Sequence, residues 1–115
     1  MEPERRCAVR VHCLVPVRIY PAGAHQAIET LTRDLGPGGV CVFSPVALPA
    51  DSHVMAEAVL GSGQAPIVFR ARAAWSRPML SGSQFFVGLQ FDGDQPQIHR
   101  LLSAYIDKLS LQPSS

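Results

Sequence analysis

Polar and apolar residues alternate along most of this chain, and the alternation predicts strands. Over residues 11–19, Val11, Cys13, Val15, Val17 and Ile19 are separated by His12, Leu14, Pro16 and Arg18. That period of two is expected of a strand with one buried face. Pro16 lacks the N–H that a ladder bond needs, so this strand is expected at a sheet edge or with a bulge. Tyr20-Pro21-Ala22-Gly23 reads as a turn, and residues 25–33 predict a second strand carrying Ile28, Thr30, Leu31 and Thr32. Residues 40–43 give a short third strand. Residues 53–60 place Val54, Ala56, Ala58 and Leu60 on one face of a fourth, although Ala, Met and Glu suit a helix there as well. Residues 67–75 then set Ile67, Phe69, Ala71, Ala73 and Trp75 on one face. Residues 85–92 do the same with Phe85, Val87, Leu89 and Phe91.

The period then changes. Ile98, Leu101, Leu102, Tyr105, Ile106 and Leu109 recur at helical spacing and form one apolar stripe. Asp94 is the expected N-cap, with Gln97 three residues later in an acid-led form of the capping box. Such a helix must bury its stripe against the sheet or over an open barrel end. The expected fold class is all-β with a terminal helix: a small six-stranded antiparallel β-barrel plus a C-terminal α-helix. Residues 1–10 read as a flexible Arg-rich N-terminal segment, 11–110 as the barrel with its helix, and 111–115 as a tail.

Composition narrows the function. A chain of 115 residues with 47% hydrophobic content is the size of one domain and can bury a core. No apolar run approaches the roughly 20 residues of a membrane span, so membrane insertion is not expected. Three cysteines without close pairing (Cys7, Cys13, Cys41) argue against a disulfide framework and fit the cytoplasm. A net charge of +1 makes any anion site local. The histidines (His12, His25, His53, His99) and cysteines show no metal-ligand spacing, and no nucleophile elbow or carboxylate pair stands out. No enzyme, metal or cofactor is therefore expected. Trp75 reads as core or rim rather than a stacking platform, and Arg70 and Arg72 as a solvated strand face.

Two local features remain. Asp34-Leu35-Gly36-Pro37-Gly38-Gly39 reads as a turn that tolerates unusual backbone angles, admits close approach and carries a carboxylate. Upstream lie Arg5, Arg6 and Arg10, the last two spaced R-x-x-x-R. In an extended chain that spacing spans about 13 Å, enough for two guanidinium groups to grip one modest ligand.

Together these features resemble the PilZ domain, a bacterial receptor for the second messenger cyclic di-GMP. That family is recognised by R-x-x-x-R, a spacer of some 20–30 residues, and [D/N]-x-S-x-x-G. Arg6 and Arg10 match the first part, Asp34 and Gly39 the second, and the 23 residues between Arg10 and Asp34 fit the spacer. Trp75 and Val87-Gly88-Leu89-Gln90-Phe91 look like the family's closing strands. Gly36 departs from the pattern, standing where the motif has serine. The resemblance implies that Arg6 and Arg10, with Arg5 beside them, meet phosphates and guanine faces. It implies that Asp34, Gly36 and Gly39 border the guanine edges, and that binding is weakened rather than abolished by the lost hydroxyl.

The expected function is a small stand-alone cyclic di-GMP receptor or adaptor that signals through an unidentified effector protein, in the orbit of motility and biofilm control. The alternative is a degenerate PilZ-like adaptor that binds no nucleotide and acts by protein contacts in pilus or flagellar control. A barrel that binds single-stranded nucleic acid is disfavoured, because it needs a positive groove with aromatic platforms. A nucleic acid polymer is not an expected partner.

Overall fold

A computed structural model describes residues 11–61 and 63–111. Its strands are β1 (Val11–His12), β2 (Pro16–Pro21), β3 (Ile28–Gly36), β4 (Gly39–Ser44), β5 (His53–Ala58), β6 (Ile67–Pro78) and β7 (Phe85–Phe91), followed by helix α1 (Pro96–Leu111). Every pairing is antiparallel. The order β3-β2-β5-β6-β7-β4 returns to β3 through the β3–β4 hairpin and closes a six-stranded barrel. Closure removes the exposed edges that an open sheet of this size would leave. The expected architecture is the observed one.

β1 and β2 are two halves of the first expected strand, both lying along β3. The interruption falls at residues 13–15. There the Thr32 hydroxyl accepts from the Val15 N–H at 2.9 Å and donates to the Cys13 carbonyl. A side chain thus fills the gap in the ladder. Pro16 sits just past this gap on a strand paired on both sides, so the proline marks an interruption and not an edge.

Inward positions follow the alternation. Val17 and Ile19 of β2, Val54, Ala56 and Ala58 of β5, Phe69, Ala71 and Ala73 of β6, and Val87, Leu89 and Phe91 of β7 are buried in one core. Residues 53–58 form a strand, not a helix, because β5 is paired by β2 and β6. Four inward alanines, Ala56 and Ala58 on β5 and Ala71 and Ala73 on β6, leave room for Phe69, whose ring meets Phe91 edge-on at 5.2 Å.

The helix adds Ile98, Leu102 and Ile106 to that core, while Leu101, expected in the stripe, is exposed. The N-cap is Gln95 rather than Asp94, since the first helical bond runs from the His99 N–H to the Gln95 carbonyl at 3.1 Å. Pro96 then takes the first helical position, where a missing N–H costs nothing. The Gln95 amide has another task. It accepts from the Arg70 N–H at 3.0 Å and donates to the Arg70 and Asp92 carbonyls at 2.9 and 2.8 Å. The helix start is thereby stitched to β6 where β7 has ended.

Candidate functional site

Two β-bulges decide which side chains reach the outer wall. In β3, Thr30 and Thr32 point inward, and unbroken alternation would send Asp34 inward after them. Instead the register against β4 slips between Thr32 and Asp34. Leu35 then takes the inward position opposite Val40, and Asp34 emerges on the outer face opposite Cys41. In β6, Phe69, Ala71 and Ala73 point inward, and alternation would put Trp75 in the core. A second slip between Ala73 and Trp75 sets Trp75 opposite Gly88 on the outer face. Ser76 faces the other way, its hydroxyl donating to the Leu48 carbonyl and accepting from the Leu48 N–H, both at 3.0 Å. Extra residues in one strand commonly re-aim side chains beside functional sites.

The result is a row across four strands: Asp34, Cys41, Gly88 and Trp75. A cavity of about 520 Å³ lies over it, lined also by Arg33, Gly38, Gly39 and Gln90. That volume falls within the range of small-molecule sites. Trp75, expected in the core or at its rim, is a half-buried cavity wall.

Two glycines shape the floor. A Cβ on Gly88 would lie 2.3 Å from the Trp75 Nε1, so the indole rests against bare backbone. A Cβ on Gly39 would lie 2.0 Å from the Leu89 carbonyl oxygen, so β4 approaches β7 as only glycine allows. The turn itself is shorter than expected. Asp34, Leu35 and Gly36 belong to β3, Gly36 pairs with Gly39, and only Pro37-Gly38 reverses the chain. None of Gly36, Gly38 and Gly39 has a positive φ, so the glycines serve close approach, not unusual angles. The Gly38 carbonyl accepts from the Phe91 N–H at 3.0 Å and ties the turn to β7.

The polar groups are matched. Asp34 is buried, and its Oδ2 accepts from the Arg33 Nε at 2.8 Å. This bond holds the Arg33 guanidinium above its ordinary pKa, with burial opposing it. The Arg33 guanidinium also lies 4.8 Å from the Phe86 ring centre, and Phe86 meets Phe43 at 5.4 Å. On the far side Arg77 covers the exposed face of Trp75 at 4.8 Å. Arg72, expected as plain solvated surface, donates to Asp51 at 2.6 Å and to the Gln90 side-chain oxygen. With its oxygen so engaged, Gln90 has its amide N–H groups to offer at the cavity. Sequence reading passed over Arg33, assigned Trp75 to the core or its rim, and quoted Gln90 only within a closing strand; the position of Arg33 next to Asp34 was the one signal that could have brought it in. Of the expected site residues, Asp34 and Gly39 line the cavity, Gly36 lies in β3 beside the turn, and Arg5, Arg6 and Arg10 lie outside the described residues. Among the described residues no cluster of His, Cys, Asp and Glu could hold a metal ion.

A family model described as the PilZ domain matches residues 4–108, and the chain belongs to that family. Solved structures share the fold. The Bacillus subtilis inhibitor of motility (MotI/DgrA) aligns with a TM-score of 0.72 at 16% identity, over 92% of this chain and 52% of that one. The PilZ domain with c-di-GMP of YcgR from Escherichia coli gives 0.70 at 16% identity, over 92% of both chains. The PilZ domain of CeSA from a cellulose-synthesizing bacterium gives 0.61 at 22%, over 89% of this chain and 98% of that one. This chain thus spans about half the length of the MotI chain. No curated protein sequence matches it.

Proposed function

We propose that this chain binds cyclic di-GMP on the outer wall of the barrel and performs no catalysis. The observation that carries the reading is the cavity where two bulges set Asp34 and Trp75 at opposite ends of one row, with Cys41 and Gly88 between them. A carboxylate can accept from the N1–H and 2-amino groups of guanine, and an indole offers a face for the purine. The purine would take the place that Arg77 occupies over Trp75. Arg6 and Arg10, with Arg5 beside them, supply the phosphate contacts, since a guanidinium fork suits phosphate and stacks on a base. Family membership supports the reading, as does the likeness to a YcgR domain solved with c-di-GMP. The receptor acts in the cytoplasm and passes its signal to a partner protein. A motility function is motivated by the B. subtilis neighbour described as an inhibitor of motility.

Calorimetric titration with cyclic di-GMP tests this. Wild type should bind saturably in the micromolar range or tighter, and Arg6→Ala, Arg10→Ala and Asp34→Ala should each lose at least about tenfold, the worth of one charge-assisted hydrogen bond. Gly36→Ser, which restores the family's hydroxyl, should tighten binding by up to about tenfold. Absence of saturable binding in wild type would remove the receptor reading. It would favour a nucleotide-independent adaptor, for which Gly36 and the Arg33–Asp34 ion pair are the motivating features.

A further inference from the structure

The Asp34 carboxylate does not stand alone in the cavity. The bulge that turns Asp34 outward leaves Arg33 beside it on the same wall, and the Nε–Oδ2 bond of 2.8 Å ties the two side chains together. The Arg33 guanidinium spends its Nε on that bond and its flat face on Phe86 at 4.8 Å. Among the described residues its two Nη nitrogens have no hydrogen-bond partner, and the side chain is 42% exposed where it lines the cavity, against 3% for Asp34. The pair therefore sets open guanidinium donors beside a buried carboxylate at the cavity wall.

Guanine has the complementary order. Its Watson–Crick edge runs donor, donor, acceptor: the 2-amino group, N1–H and O6. A carboxylate satisfies the two donors and leaves O6 needing a donor at its side. Building on the nucleotide reading above, we propose that Arg33 is a specificity-determining residue that donates from Nη to guanine O6 while Asp34 accepts from N1–H and the 2-amino group. Adenine presents an acceptor at N1 and a donor at its 6-amino group, so it opposes both members of the pair. A site whose buried carboxylate would face an acceptor instead of a donor rejects such a base strongly. The guanine preference then resides in two neighbouring side chains of one bulge.

The test compares cyclic di-GMP with its analogue carrying 2-aminopurine in place of both guanines, which lacks O6 and N1–H. Affinities of the whole chain are measured by calorimetry, with competition for the weaker ligand. Arg33→Ala should weaken cyclic di-GMP about 10- to 100-fold, the loss of a hydrogen bond from a charged donor. It should leave the analogue nearly unchanged, so that selectivity narrows. Arg33→Lys keeps a cation beside Asp34 without the fork and should fall between, and the melting temperature of each variant reports any purely structural effect. Equal losses for both ligands, or no loss for cyclic di-GMP, would overturn the Arg33 assignment while leaving the receptor reading intact. Failure of wild type to bind cyclic di-GMP would overturn both.

Discussion

At Gly39 and Gly88 the space a side chain would fill is already taken, but by groups of different stiffness. The obstacle at Gly39 is the Leu89 backbone carbonyl, held in the β6–β7–β4 ladder. The obstacle at Gly88 is the Trp75 indole, which can swing away. Gly39→Ala should therefore destabilise the barrel by about 1–3 kcal/mol, the usual cost of overpacking, seen as a lower urea midpoint. Gly88→Ala should cost less stability but displace the indole. Trp75 is the single tryptophan of the chain, so a red shift of its emission reports that displacement directly. The same asymmetry clarifies the family motif at its last position: Gly39 is demanded by strand packing beneath the site, and its contribution to binding comes through the shape of the floor.

At the scale of elements, the barrel and its helix were legible because the alternation in β2, β5 and β7 and the stripe in α1 each repeat over several residues. The outward turn of the site residues was not. Ala73-Ala74-Trp75 reads the same in either phase, since Ala74 is small enough for core or surface, and only the slip against β7 decides that Trp75 faces out. Thr32-Arg33-Asp34 is similar: the threonines lie inward by parity, and the carboxylate escapes the core through one extra residue. Glycine and proline content located the Asp34 stretch but placed the chain reversal three residues too early, because β1 and β4 hold Asp34 and Leu35 extended and β4 holds Gly36. The helix seam carries its own prediction. Burial pushes the Tyr105 hydroxyl above its ordinary pKa, and the Cys13 thiol adds to the shift; burial likewise raises Cys13, against a lowering hydrogen bond from Thr32. The folded chain thus holds these protons more tightly than the unfolded chain. The stability they contribute is complete below the unfolded values and is lost as pH rises past roughly 9–10. Tyr105→Phe should lose less stability over that alkaline span, measured as urea midpoints on either side of it.

For the whole molecule, the barrel is a closed frame whose outer wall, from β3 to β6, carries the proposed site. Its apolar core runs continuously from Val15 to Ile106 behind that wall. The family's arginine motif lies ahead of β1, and β1 itself pairs with Asp34 and Leu35, so the chain enters the barrel beside the carboxylate it is proposed to serve. The central claim is that this wall is the nucleotide site. The most direct measurement is the emission of Trp75 during titration with cyclic di-GMP, in wild type and Asp34→Ala. A saturable change that tracks calorimetric binding, and that weakens in Asp34→Ala, is the predicted result. Calorimetric binding with unchanged Trp75 emission, or a response that Asp34→Ala leaves intact, would place the nucleotide elsewhere and contradict the account.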